Sequence, residues 1–108
     1  MKGDKTLKKV KITVIKKFNP KEIFGHEIIR EDTGEPVPPC YLNEGQSFTL
    51  TSHLEPPKGF CEKAWLDIYD LLMIFYYDGD YAYPKPGMTY TPCNDGIRPV
   101  IFKIEKLD

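Results

Sequence analysis

The sequence predicts an α+β domain: a small, curved antiparallel sheet of four or five strands packed on one main helix, residues 61–77. Three observations carry this. Residues 8–17 and the last run, "RPVIFKIEKL", alternate with period two. Residues 61–77 hold the one long apolar stretch at helical spacing. Asp95-Gly96 stands between two strand-like runs, which is a hairpin signal. With 108 residues, a single domain over 1–108 is the natural size.

In "KKVKITVIKK", Val10, Ile12 and Val14 face one way and Lys9, Lys11 and Thr13 the other. Alternation of β-branched and polar residues reads as a half-buried strand. Asn19-Pro20 ends it. Residues 20–36 are ambiguous between a short helix and an irregular strand pair, through Ile23, Phe24, Ile28 and Ile29. "EDTGEPVPPC" (31–40) is a turn-rich connector, because its prolines lack the donors a central strand needs. "GQSFTLTS" (45–52) is a second strand with Phe48 and Leu50 inward, and "HLEPPKG" (53–59) is a loop.

From Trp65 to Tyr77, eleven of thirteen residues are apolar or aromatic; only Asp67 and Asp70 interrupt. Ala64, Ile68, Leu71, Leu72 and Phe75 make one stripe, and Trp65, Tyr69, Leu72 and Tyr76 a second. Such a helix needs cover on most faces, more than one small sheet supplies. Loops or another subunit must cover the rest, so a homo-oligomer is expected. Gly79 is read as the helix stop. "DYAYPKPGMTY" (80–90) is an aromatic, proline-rich excursion. The first and last strands carry the cleanest alternation and are expected to pair.

The net charge of −1 is unevenly spread. Residues 1–21 carry eight lysines against Asp4, giving +7; residues 22–108 carry seven basic and fifteen acidic side chains, giving −8. A basic segment raises the possibility of nucleic-acid binding. Arginine is absent there and no aromatic interleaves before Phe18, so tools for base readout are missing. The favoured reading is an edge strand that its lysines protect against edge-to-edge pairing. No uninterrupted apolar run reaches membrane-spanning length, and no apolar leader follows the N-terminus. Three cysteines without a leader point to reduced thiols and a cytoplasmic setting.

Each cysteine sits in a proline- or glycine-framed corner: Cys40 in "PVPPCYLNEG", Cys61 in "PPKGFCEKAW" and Cys93 in "YTPCNDGIRP". Cys61 opens the main helix, where free N–H groups and the positive helix end favour a thiolate. It is the candidate reactive thiol, set against a reading as a small apolar side chain beside Phe60. Cys93 precedes Asn94-Asp95-Gly96, whose amides could surround an anion; alternatively, Asn94 and Asp95 are there because the turn needs them. All three cysteines lie at element ends and are expected to share one rim of the sheet. With His53 they are the candidate metal ligands, Cys40, Cys61, Cys93 and His53, and a metal ion is the candidate cofactor. Wide spacing counts against zinc, whose structural motifs bring ligands in close pairs. Asp67 and Asp70, at i and i+3, are read first as the helix's one solvated stripe and second as an acid/base pair. The tyrosines (41, 69, 76, 77, 81, 83, 90) are read as amphipathic core and interface. Phosphate-loop, nucleophile-elbow, zinc-protease and dinucleotide signatures are absent.

The run "P-x-G-F-C-x-x-A-W-x-D-I-Y" (57–69) and then "C-x-D-G-x-R-P-V-x-F-K-I" (93–104), with "KVKITVIKK" and "NEGQSF", resembles a family of small uncharacterised prokaryotic proteins. Its members are of about this size, sometimes occur in tandem, and are common in anaerobic bacteria and archaea. The resemblance implies relatedness of fold and brings no activity with it. It places Cys40, Cys61, Cys93, Gly59, Trp65, Asp95 and Gly96 on the family's positions. Members often carry a Cys-Cys pair before the Asp-Gly, where this chain has Pro92-Cys93. A four-cysteine metal site would be one ligand short here.

Two functions follow. The first is a small self-associating binding or structural module with no complete catalytic constellation. The alternative is a thiol-based metal-binding or redox site built on Cys61, Cys93 and Cys40.

Overall fold

The computed structural model describes residues 9–107. Strands β1 (Lys9–Lys17), β2 (Ser47–Leu50), β3 (Met88–Pro92) and β4 (Val100–Leu107) form one antiparallel sheet, ordered β2-β1-β4-β3. A short helix α1 (Pro20–Phe24) follows β1, and the main helix α2 (Glu62–Tyr76) joins β2 to β3. The fold is therefore α+β, with a four-stranded open sheet and one main helix. Among the described residues no helix is long and apolar enough to cross a membrane.

The first and last strands form the centre of the sheet, pairing from Lys9 opposite Leu107 to Lys17 opposite Val100. A bulge between Val14 and Lys16 leaves Ile15 out of register. Here the expected lysine-protected edge is corrected: β1 is internal, with β2 on one side and β4 on the other. Lys9, Lys11 and Thr13 alternate with the buried Val10, Ile12 and Val14, so these lysines solvate a face rather than an edge. Lys2, Asp4, Lys5 and Lys8 lie outside the described residues. The true edges are β2, only four residues long, and β3, which ends in Pro92. Short strands and edge prolines both discourage further pairing.

Val10, Ile12 and Val14 meet Phe102 and Ile104 on the buried face, and α2 packs across β1 and β4 through Ala64, Trp65, Ile68, Leu72 and Phe75. Burying each large apolar side chain contributes about 1.5–3 kcal/mol. Phe60 ties the helix entry to the sheet, its ring edge-on to Phe48 at 5.0 Å and tilted on Phe102 at 5.4 Å. The two expected stripes of α2 are covered within the chain: Ala64, Trp65, Ile68, Leu72 and Phe75 are buried and Tyr69, Leu71 and Tyr76 half-buried, while Leu66 and Ile74, outside both stripes, are exposed. The preceding loop supplies part of that cover, since the Tyr69 hydroxyl donates to the His53 carbonyl at 2.9 Å.

Both helices are ended by side-chain and backbone chemistry. α1 carries a capping box: Asn19 accepts from the Glu22 N–H and Glu22 accepts from the Asn19 N–H, both at 2.9 Å. This settles residues 20–24 as helix. α2 stops in a Schellman motif, with the Asp78 N–H donating to Phe75 O at 3.0 Å and the Gly79 N–H to Ile74 O at 2.7 Å. The left-handed residue is Asp78, φ 66°, not Gly79. Glycine is needed one position later because a Cβ there would meet the Ile74 carbonyl oxygen at 2.8 Å.

Candidate functional site: a thiol-lined cavity at the start of the main helix

Three segments meet at the N-terminal end of α2: residues 38–42, the helix entry 61–67, and the β3–β4 loop 93–98. Each is held by a polar clip. In the first, Pro38 and Pro39 offer carbonyls but no N–H. Arg98 Nη1 donates to Pro38 O at 2.8 Å and to Pro39 O at 3.3 Å, and Lys17 Nζ donates to Cys40 O at 2.8 Å. Leu42, buried, pins the segment to the core.

In the second segment, Cys61 is the N-cap of α2, with φ −72° and ψ 122°, and its Sγ accepts from the Ala64 N–H at 3.5 Å. Serine, threonine, aspartate and asparagine are the usual residues here, because their oxygens accept shorter, stronger hydrogen bonds. One turn on, Asp67 Oδ2 accepts from Lys63 Nζ at 3.1 Å and from the Asn94 N–H at 2.8 Å. That carboxylate joins the helix to the third segment.

In the third, Cys93 N–H donates to Val100 O at 2.9 Å and Cys93 Sγ accepts from the Val100 N–H at 3.3 Å, so the ladder closes at this pair. Asp95 shapes the loop beyond it. Its Oδ1 accepts from the Ile97 N–H at 3.0 Å and the Arg98 N–H at 3.2 Å, and its Oδ2 pairs with Arg98 Nε at 3.3 Å.

Between the segments is a cavity of about 190 Å³. Leu42, Ala64, Val100 and Phe102 give it an apolar floor. Cys40, Cys61 and Cys93 line it, together with Tyr41, Lys63, Asp67, Asp95 and Arg98. All three cysteines are free and partly exposed. The lysine and arginine are each paired with a carboxylate, so the charged rim is close to neutral.

Tyr41 is 62 % exposed, and partial desolvation first, then electrostatic repulsion from its neighbours at Cys61, Cys40 and Glu62, pushes its hydroxyl above the usual tyrosine range. The hydrogen bond to Asp67 holds the Lys63 ammonium above the ordinary lysine range; Asp67, Cys93 and Asp95 add charge attraction and desolvation opposes. Desolvation works to raise Asp95, but hydrogen bonds from the Ile97 and Arg98 N–H groups and the Arg98 guanidinium outweigh it and lower the carboxyl.

Of the sequence candidates, Cys40, Cys61 and Cys93 come together. His53 does not line the cavity; its ring packs on Tyr76 at 5.8 Å and Tyr77 at 6.0 Å. Among the described residues, no group of three or more His, Cys, Asp or Glu side chains is disposed to hold a metal ion. Asp67 corrects a second expectation. It is not part of a solvated stripe with Asp70: its side chain is only 14 % exposed and faces the cavity wall. The spacing Cys61–Ala64–Asp67, three residues apart on one helix face, was the available signal. Arg98 carried a fainter one, an i+3 partner for Asp95.

The arrangement offers soft sulfur donors and nucleophiles above an apolar floor, inside a ring of compensated charge. No protein-family model, curated protein or solved structure matches the chain.

Proposed function

We propose that this protein is a small-ligand-binding module whose working groups are the thiols of Cys40, Cys61 and Cys93. One observation carries the reading: three cysteines, far apart in the chain, line a single cavity. Packing alone gives no reason for all three to border the same empty space. The N-cap supports the reading, because sulfur is a poorer cap than oxygen at Cys61. Cys61, at the helix entry, is the reactive member, with Asp67 and Arg98 holding the walls in place.

The test is alkylation of the folded, reduced chain with reagents of graded size. Iodoacetamide enters a cavity this small, whereas a dye-bearing maleimide is too large. The reading expects carbamidomethylation of native Cys61, found by peptide mass mapping, and slow labelling by the bulky reagent until the chain is unfolded. Native thiols that resist iodoacetamide as strongly as core residues do would overturn it.

A second reading, self-association, is favoured by the exposure of Leu66 and Ile74 on α2, with Leu54 78 % exposed nearby in sequence on the preceding loop. Light scattering at tens of micromolar tests it directly, and a monodisperse monomer would remove it.

A further inference from the structure

A second cavity, of about 300 Å³, adjoins the thiol cavity. Arg30, Val37, Pro38 and Ile97 line it, and Asp95 and Arg98 line both spaces. Alone, the thiol cavity is smaller than the roughly 300–1,000 Å³ typical of small-molecule sites. Joined across Asp95 and Arg98, the two fall within that range. They differ in chemistry. The first has sulfur and an apolar floor. The second has the guanidinium groups of Arg30 and Arg98, each paired with a carboxylate, Asp32 and Asp95. Arg30 pairs with Asp32 at 2.6 Å on a half-exposed surface, an arrangement a ligand's acid group can share or displace at modest cost. Paired guanidinium groups are well suited to binding carboxylates in forked geometry.

We infer that the ligand is a low-molecular-weight disulfide bearing a carboxylate, with its acid group between Arg30 and Arg98 and its sulfur in the thiol cavity. This rests on the thiol-module reading above. The chemistry is exchange: the Cys61 thiolate attacks one sulfur of the disulfide, a protein–ligand S–S bond forms, the ligand's own S–S bond breaks, and the other half leaves as a thiolate. No further oxidant is needed. The Ala64 N–H, which donates to Cys61 Sγ at 3.5 Å, faces the attacking sulfur before the exchange.

The experiment compares the initial rate of thiol modification by dithiobis-nitrobenzoate, an anionic disulfide, with that by dithiodipyridine, a neutral one. Each rate is normalised to that of a free small thiol. Arg30→Gln is the variant, because the Arg30 side chain bonds only Asp32 among the described residues and its loss leaves the fold intact. The expected result is an anion preference of roughly tenfold over the free thiol, reduced about threefold or more by Arg30→Gln and eroded by salt, with the neutral rate unchanged. Equal normalised rates for the two reagents, unmoved by Arg30→Gln, would overturn the inference while leaving the thiol module standing. Failure of the folded chain to react with either disulfide, where iodoacetamide does label Cys61, would also overturn the inference; only failure with iodoacetamide as well would bring down the thiol reading itself.

Discussion

The two ends of α2 differ in what their charged side chains enclose. At the C-terminal end, Asp80 accepts from the Ala82 N–H at 2.7 Å and the Gly87 N–H at 2.8 Å, while Lys106 Nζ lies 3.3 Å from Asp78 and 3.0 Å from Gly79 O. Asp80 closes on the backbone of its own loop, and Lys106 reaches the same loop from β4, so its path is fixed. At the N-terminal end, Asp67 and Arg98 bind backbone of other segments, Asp95 binds its own loop at Ile97 and Arg98, and all three side chains border open space. At one end the bonds close a loop; at the other they tie three segments around a cavity. The thiols lie only at the second kind of end.

The largest effect comes from the core that both ends share. Phe75→Ala is expected to cost about 3–5 kcal/mol, measured by urea denaturation. At temperatures where the variant stays folded, iodoacetamide should still find the thiols in the wild-type pattern, because Phe75 does not line the cavity. A changed pattern would mean the two ends are not separable.

A matched pair sharpens the contrast. Gly79→Ala drives a Cβ against the Ile74 carbonyl and should cost about 1–3 kcal/mol. Asp67→Ala removes a charge-assisted hydrogen bond to the Asn94 N–H and should cost a similar amount, about 1–3 kcal/mol. Only Asp67→Ala is expected to speed thiol labelling, since it unfastens the helix from the 93–98 loop. Equal labelling in both variants would show that stability alone, not the clip, governs the cavity.

Cys61→Ser should be neutral or stabilising by up to about 1 kcal/mol, because an oxygen cap replaces a sulfur one. The same variant should lose the fast-labelling thiol. A strongly destabilised serine variant would make Cys61 a packing residue.

The smallest effect is in pH. Asp95 at the cavity and Asp80 at the far loop are both lowered from the usual aspartate range. For Asp80 the leading cause is the Gly87 N–H, opposed by desolvation and aided by Ala82 and Lys106. A lowered carboxyl contributes stability above its unfolded value, about 3.9, that is lost as pH falls through the folded value. Asp95→Asn and Asp80→Asn should therefore each flatten the acid limb of the stability profile, followed by circular dichroism. Only Asp95→Asn should change thiol labelling as well.

Much of the fold could be read from the residues because its strongest signals are local. Val10-Ile12-Val14 and Phe102-Ile104 alternate, and the Trp65–Tyr77 run is helical by composition. The capping box at Asn19 and Glu22, with Pro20 between and Gly25 after, was also written there, but it lay inside a short segment whose apolar residues suit either element. What escaped reading depended on contacts between distant segments. That β1 is internal follows from β2 and β4 both choosing it. That Asp67 faces a cavity follows from where the 93–98 loop lands, because a helix position alone cannot distinguish a solvated stripe from a wall. The Asp-Gly signal marked the right hairpin, yet the ladder closes at Cys93 and Val100 and the loop between them is shaped by the Asp95 side chain. The cysteines were legible as element ends, and their sharing one rim was expected from that; which walls enclose the space between them required the sheet order.

The claim that these thiols share a space is tested most directly by letting one reagent molecule compete for all three. The reduced, folded chain is treated with a limited excess of N-ethylmaleimide and followed by intact mass, with the unfolded chain as control. If one cavity of about 190 Å³ serves Cys40, Cys61 and Cys93, the first adduct fills it. A singly labelled species should then accumulate, and the second and third additions should slow by about tenfold or more relative to the unfolded chain. Three additions at independent, unslowed rates, with no singly labelled plateau, would contradict the account.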